Sequence, residues 1–364
     1  MASYGPSDKD LRRMTLAGEL AYAQSIASSA AGRLSFEDAL GEINQRVSAL
    51  NALAESVARA RARGYVWGGD LEAVGNAAQS QARAAFDGAR AESARAASAL
   101  RGQVSALERD VRRAASGDVL RNEGLINSVT AQARGLDEAI SAAKGRVLAG
   151  AAQFIGAVDA LSTRMTRVHW TLDQFEGASF TMQPEENPIF AAKATWEDHP
   201  SGKVEGLLML TAHRLRFEYQ EEVVLERSFV FFASKTETRR KLLLDALVGH
   251  LAGSEASERG LLIKDQVLSL RLHPQSGGPT SVTLELDDDR AAEVDTVIEQ
   301  IRSGDLERGR YQGPMPTGSR VGVPVKWPEK CETCGAGMQP PVKGQTYLTC
   351  EYCRARHDVT LGEG

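Results

Sequence analysis

Cysteine is nearly absent from this chain: four in 364 residues, all between positions 331 and 353. Disulfides can therefore contribute nothing to the first 330 residues. Proline is sparse at the other end, with none between Pro6 and Pro184. Aromatic residues make up only 6%. No long apolar run exists. The longest weakly polar stretch, Val147 to Val158, is far short of the ~20 residues that span a bilayer. The opening Met1–Arg13 lacks an apolar segment, so no secretory signal is expected and the chain reads as cytoplasmic.

Charge of one sign is also missing as a broad field. Residues 1–170 hold 21 Lys+Arg against 18 Asp+Glu, residues 171–320 hold 17 against 25, and residues 321–364 hold five of each. A general nucleic-acid binder needs a dense basic surface, so nucleic acid is not expected as a partner. Phosphate-loop, dinucleotide, zinc-protease and nucleophile-elbow motifs are absent, and the six histidines are dispersed. The chain is therefore not expected to be an enzyme. Its length predicts two or three domains.

The proline-free region is rich in alanine, arginine and glutamate, which predicts long helices. Apolar residues recur by three and four at Leu40, Ile43, Val47, Leu50, Ala54 and Val57. They do so again at Leu100, Val104, Leu107, Val111 and Ala114. The stripe continues from Val129 to Val147 and from Phe154 to Val168, as in a coiled coil. Ser35 with Asp38 resembles a helix N-cap. The glycines of Arg63–Asp70, with Asp70 as a cap, and Ser116–Asp118 predict chain reversals. Three long segments should pack antiparallel. Such a bundle over residues 1–170 offers surfaces for protein partners or for homo-oligomer formation.

Composition changes near Thr171 toward β-branched and aromatic runs. Strands are predicted at 189–197, 203–211, 214–219, 223–232, 260–264, 267–273 and 281–286. The acids Asp287 to Asp289 should cap a helix from Arg290 to Ile301. A second helix is predicted at Glu237–Leu251, from Leu242, Leu243, Leu244, Leu247 and Leu251. The segment from Gly206 to Phe217, with Gly-x-Leu-x-Leu-Thr before Arg-Leu-x-Phe, resembles the second hairpin of PH/GRAM-like domains. That resemblance implies a PH-like seven-stranded β-barrel with a C-terminal helix over 171–303. It also implies phosphoinositide binding at the loop between the first two strands. Here Trp196 to Lys203 offers two acids and one lysine, so membrane lipid is weakly supported. Arg239, Arg240 and Lys241 read as the solvated face of the second helix.

Residues 304–328, rich in glycine and proline, read as a tether, with Trp327 folding onto either neighbour. Beyond it, Cys331, Cys334, Cys350 and Cys353 form two Cys-x-x-Cys pairs 15 residues apart. Two such turns supply four soft ligands for one tetrahedral Zn2+, with Gly335 freeing the first turn. Pro340–Pro341 and Lys343–Gly344 should lead into a strand at 345–349. Residues 329–364 resemble a zinc ribbon, whose four sulfurs imply a structural metal, one per chain. His357 reads as a partly exposed strand residue rather than a spare ligand or outer hydrogen-bond donor. Lys326, Lys330, Lys343, Arg354, Arg356, Tyr347 and Tyr352 would be the contacts if the ribbon bound nucleic acid. The expected fold class is multidomain α + β: helical bundle, PH-like barrel and zinc ribbon.

Overall fold

The structure is a computed structural model. It describes residues 7–183, 186–226, 235–260, 265–274, 278–287, 290–314, 325–328, 330–338, 347–350, 353–358 and 360–361. The chain divides into two compact units, one of residues 1–54 and 74–162, the other of residues 55–73 and 163–364.

Five helices form the first half: α1 (Asp8–Arg33), α2 (Glu37–Ala62), α3 (Leu71–Ala115), α4 (Glu123–Ala149) and α5 (Ala152–Glu176). In the first unit they build three antiparallel segments. Arg12–Glu123 and Arg33–Asp137 run α1 alongside α4, and Arg46–Asp159 runs α2 alongside α5 in the same sense. Arg146–Glu92 and the Gly75–Leu161 approach run α3 the opposite way. Two of the three segments are therefore broken helices. The break at Gly150 is invisible to periodicity because Gly150 keeps αR angles, so the apolar spacing continues across it. At the other break Phe36 is buried with φ +52°. Ser35 does not cap α2; its hydroxyl donates to the Gly32 carbonyl and closes α1. The seam is as expected on α3, α4 and α5. On α2 Ile43, Leu50 and Val57 are buried as expected, whereas Ala39 and Leu53 are buried in place of Leu40 and Ala54.

In the second unit the turn after α2 is organised by Arg61, which is 4% exposed. Its guanidinium donates to the carbonyls of Tyr65, Trp67 and Gly68 and to Glu72. Asp70 does not act as a cap; its carboxylate takes two hydrogen bonds from Arg164, at 2.8 and 3.0 Å.

The sheet holds seven strands: β1 (Pro188–Trp196), β2 (Val204–Thr211), β3 (Arg214–Glu226), β4 (Lys235–Leu247), β5 (Leu251–Arg259), β6 (Asp265–Leu272) and β7 (Ser281–Leu286). They run antiparallel in the order β4-β3-β2-β1-β7-β6-β5. β4 and β5 are unpaired edges, so the expected closed barrel is an open sheet among the described residues. One face packs Trp196, Leu208, Phe217, Leu268 and Leu284 against Val294 and Ile298 of α6 (Ala291–Ser303). The other face, with Ala191, Leu207 and Met209, is covered by Phe175 of α5 and by Phe180 and Met182. Double coverage explains the unbroken apolar run Leu207–Leu210, because neither face of β2 meets water.

Several expected elements change. The helix predicted at 237–251 is strand β4 followed by a 3-10 turn, Val248–His250. Its register against β3 shifts between Phe217↔Leu244 and Glu218↔Leu242, leaving Leu243 as a bulge. The bulge breaks period two and leaves leucines at helical spacing. Arg239, Arg240 and Lys241 are therefore strand residues. The strand predicted at 223–232 is the end of β3, and residues 227–234 lie outside the described set. So do 261–264 of another predicted strand, whose place is taken by β5. Helix α6 is N-capped at Arg290, which makes no capping hydrogen bond through its side chain; it stacks on Phe190 and pairs with Glu293. Of the expected acidic cap, Asp288 and Asp289 lie outside the described residues.

The expected tether is not free at its start. It forms α7 (Asp305–Arg308), and then Gly309 accepts from Gly69 N–H while Tyr311 N–H donates to Val66, at 2.8 and 2.7 Å. Arg61 lies 4.2 Å from the centre of the Tyr311 ring. Replacing Arg61 with Lys keeps the charge but loses the fork that holds three carbonyls at once. Arg61→Lys should therefore lower stability by about 2–4 kcal/mol in denaturant melts. An unchanged midpoint would mean that the turn is held by other contacts.

Candidate metal centre

Four short strands frame the C-terminal segment: β8 (Val325–Lys326), β9 (Tyr347–Thr349), β10 (Arg356–Asp358) and β11 (Thr360–Leu361). β9 pairs with β10, and β8 pairs with β11, so the last residues of the expected tether are strand partners of the C-terminal residues. Between these strands the two Cys-x-x-Cys turns repeat one backbone geometry. Gly335 N–H donates to Cys331 O, and Cys331 N–H to Ala336 O, at 2.7 and 2.8 Å. Nineteen residues on, Arg354 N–H donates to Cys350 O, and Cys350 N–H to Ala355 O, at 3.0 and 2.9 Å.

Both turns need a left-handed residue after the second cysteine. Gly335 adopts φ +72° without strain, whereas Arg354 adopts φ +61° with a full side chain. Tight turning aims backbone amides at sulfur. Amides of Thr333 and Cys334 donate to the Cys331 sulfur, that of Ala336 to Cys334, and that of Ala355 to Cys353.

The four sulfurs lie within 4.8 Å of one another, with Cys331–Cys353 at 3.5 Å and Cys334–Cys350 at 3.6 Å. None is disulfide-bonded. A tetrahedral site with ~2.3 Å metal–sulfur bonds has sulfur–sulfur edges of about 3.8 Å, so the spacing suits a metal ion. The electrostatics agree. Burial raises the Cys331 thiol, but the amides of Cys334 and Thr333, with Cys353 and His357, outweigh it and bring it down to about 5. Against the Ala355 amide, burial and the other three sulfurs push Cys353 up to about 12, and Cys334 also rises. One thiolate forms readily and its neighbours resist, so a cation is what lets all four ionise.

His357 differs from expectation. It is buried at 8% exposure, and its Nε2 lies 3.1 Å from the Cys331 sulfur. On β10 it sits opposite Leu348, so strand alternation turns it inward between exposed Arg356 and Asp358. It can act as an outer hydrogen-bond donor to the ligand sulfur, the role that orients ligands around metals.

The other candidate residues do not converge. Arg356 stacks on Tyr347 of the facing strand, at 3.7 Å from its ring centre. Lys343 and Tyr352 lie outside the described residues, as do Pro340–Pro341, Gly344 and the start of the strand predicted at 345–349. In the loop between β1 and β2, Glu197 pairs with both Lys203 and Arg259, so the lone lysine is already neutralised. Asp198 accepts from Thr283 and from the Trp196 indole. One pair unnoticed in the sequence, Ser56 and His169, is in hydrogen-bond contact at 2.8 Å. Arg63 approaches His169 Nδ1 at 3.3 Å, and a guanidinium can only donate. The imidazole therefore carries its proton on Nε2 and cannot take one from the Ser56 hydroxyl.

No protein-family model and no curated protein sequence matches this chain. Among solved structures it is similar to the N-terminally truncated linker-DH/PH domains of p115-RhoGEF, with 9% identity and a TM-score of 0.24. That match covers 79% of this chain and 98% of the other. It is also similar to the PDZ-RhoGEF DH/PH domains crystallised with GTP-gamma-S activated RhoA, with 11% identity and a TM-score of 0.25. There the cover is 80% and 94%. The DH/PH domain of human ARHGEF11, in a complex with human RhoA and its inhibitor, scores 0.24 at 11% identity over 78% and 93%. At TM-scores below 0.5 these likenesses carry neither fold nor function to this chain.

The unequal turns make a test. Arg354→Gly removes left-handed strain worth about 1 kcal/mol, so metal should be released to a competing chelator about five times less readily. Gly335→Ala should shift release in the opposite direction. Equal behaviour of both variants and the parent would mean that turn strain does not limit metal affinity.

Proposed function

We propose that this chain is a non-enzymatic, zinc-binding adaptor. In this reading residues 1–170 are the helical bundle, 171–303 a PH/GRAM-like module, 304–328 a linker and 329–364 a zinc ribbon. The observation that carries it is the closed ring of sulfur. Four thiols within 4.8 Å, with backbone amides and His357 around them, leave no coordination position for water or substrate. A metal held this way supplies folding energy to a segment with almost no apolar core of its own. Four cysteines arranged for a metal suit a reducing compartment, which supports a cytoplasmic setting. None of the described helices is long and apolar enough to cross a membrane.

The bundle supplies the second part of the reading. Its seam is rich in alanine, with Ala23, Ala27, Ala30, Ala133 and Ala143 buried, so helices approach closely but bury little area per residue. On the outer side of α1, Leu11 and Met14 are 49% and 68% exposed. Protein partners and self-association through this region fit an adaptor. Lipid is disfavoured by the acid-neutralised loop between β1 and β2.

Metal analysis of the full chain under reducing conditions should find one zinc per chain, and Cys350→Ser should reduce it below one tenth. The main thermal transition should stay within about 2 °C, because the four cysteines lie outside the apolar clusters of the sheet. Affinity capture with the full chain should recover the same proteins with parent and catalytically irrelevant surface variants, and Cys350→Ser should lose those held by the ribbon. A turnover activity abolished by one substitution outside the four cysteines would overturn the adaptor reading. A zinc content near zero would overturn its metal.

A further inference from the structure

Three of the six histidines meet at one end of the sheet, far in sequence from the cysteines. His213 lies in the β2–β3 turn, His250 in the turn between β4 and β5, and His273 directly after β6. Their convergence is built into the backbone. Val248 N–H donates to the His213 carbonyl, and His273 N–H donates to the His250 carbonyl, each at 2.8 Å. These bonds clamp three separate turns together around a cavity of about 520 Å3, within the size range of small-molecule sites.

The lining has two sides. Leu247, Val248, Leu251 and Ile301 form an apolar wall, and the three histidines with Arg302 form the polar one. Among the described residues that line the cavity none is acidic. The contrast with its surroundings is sharp, since residues 171–320 hold 25 acids against 17 Lys+Arg. Arg302, at the C-terminal end of α6, gives one hydrogen bond to Glu299 at 2.6 Å and has further N–H groups on its fork. Imidazoles and a guanidinium beside aliphatic side chains, with no carboxylate among the lining residues, favour negative charge on an apolar body.

We propose that this cavity is a binding site for a small organic anion, a medium-chain carboxylate in size and chemistry. The alkyl chain would lie on Leu247, Leu251 and Ile301. Its carboxylate would accept from imidazole N–H groups of His250 and His273 and from Arg302, with His213 lining the same wall. Neutral imidazoles suffice, because each carries one N–H donor, and protonation adds a second. A transition metal is the other ligand that three imidazoles attract, so the test must separate the two.

The full zinc-loaded chain, with its histidines labelled with 15N, is titrated with decanoate below its micelle concentration, and in parallel with decanol and decylammonium. Decanoate should shift the imidazole signals of all three histidines and saturate, binding at least tenfold more tightly than either control. Arg302→Gln, at the end of a helix, and His273→Gln, on an exposed turn, should each weaken decanoate three- to tenfold and leave the weak decanol response unchanged. Their melting temperatures check that the fold persists. Equal response to decanol, shifts confined to residues elsewhere, or variants that bind decanoate as the parent does would each overturn the site. So would Ni2+ shifting the three imidazoles at one equivalent while decanoate leaves them in place, since the triad would then be a cation site.

Discussion

A charge taken out of water must be completed by partners, and this requirement organises several of the places where elements of the second unit meet. Arg61 is the clearest case: at 4% exposure it can persist only because three carbonyls and Glu72 surround it. Those carbonyls belong to Tyr65, Trp67 and Gly68 of one turn, so satisfying the guanidinium fixes the turn's path. The fixed turn then presents Val66 and Gly69 as backbone partners for Tyr311 and Gly309. Glu186 and Arg216 repeat the logic on the sheet, with two hydrogen bonds of 2.8 and 2.9 Å inside a site where both are almost fully buried. Glu218, at zero exposure, accepts from Ser179 N–H and thereby latches the segment after α5 onto the strand beneath. Removing one member of such a set leaves its partner charged and dry, which costs more than the interaction itself contributes.

The cysteines obey the same rule with the opposite outcome. Buried arginines are completed by the chain's own oxygens, whereas four converging sulfurs cannot complete one another. Burial opposes ionisation of Cys331, but the amides of Cys334 and Thr333, with Cys353 and His357, bring it down to about 5; against the Ala355 amide, burial and the other three sulfurs raise Cys353 to about 12. Backbone amides and His357 offset part of this repulsion, and only a cation removes the rest. The spacing of the four sulfurs suits a tetrahedral metal.

Much of this was legible in the sequence, and the failures have identifiable causes. The two reversals, near Gly64–Asp70 and Ser116–Asp118, and the three-segment bundle follow from proline absence and three-four spacing. Gly150 stayed hidden because αR geometry preserves that spacing through the break. β4 differs from the predicted helix because the bulge at Leu243 shifts the inward residues by one, and a segment of leucines without β-branched or aromatic residues offers no other strand signal than alternation. β5, with Ser254, Ser257 and Glu258, carries almost no apolar pattern, since an edge strand needs little. At the candidate metal centre the clustering of the four cysteines was legible, because spacing encodes it. His357 was not, because its role depends on which way a three-residue strand faces. The histidine-lined cavity was beyond reach altogether: its members are 23 to 60 residues apart, and only the turns of the folded sheet bring them to one place.

The open sheet raises a question of how it avoids pairing with other sheets, and the edges answer it. β5 ends in exposed Glu255, Ser257, Glu258 and Arg259, and its register shifts between Leu251 and Gly253. β4 bears exposed Arg239 and Lys241 and the bulge at Leu243. Charge and irregularity at both edges oppose the addition of a further strand, the usual hazard of an unclosed sheet. Recruitment by strand addition is therefore blocked, so partners of the sheet must use side-chain surfaces or the turns at its ends. The helices face no such restriction. Leu11, Met14 and Tyr22 lie exposed on α1, a regular surface that another helix can pack against without disturbing a single backbone hydrogen bond. The division of labour follows from backbone chemistry: an edge must be guarded because its amides are unsatisfied, whereas a helix has satisfied its own and can offer apolar side chains safely.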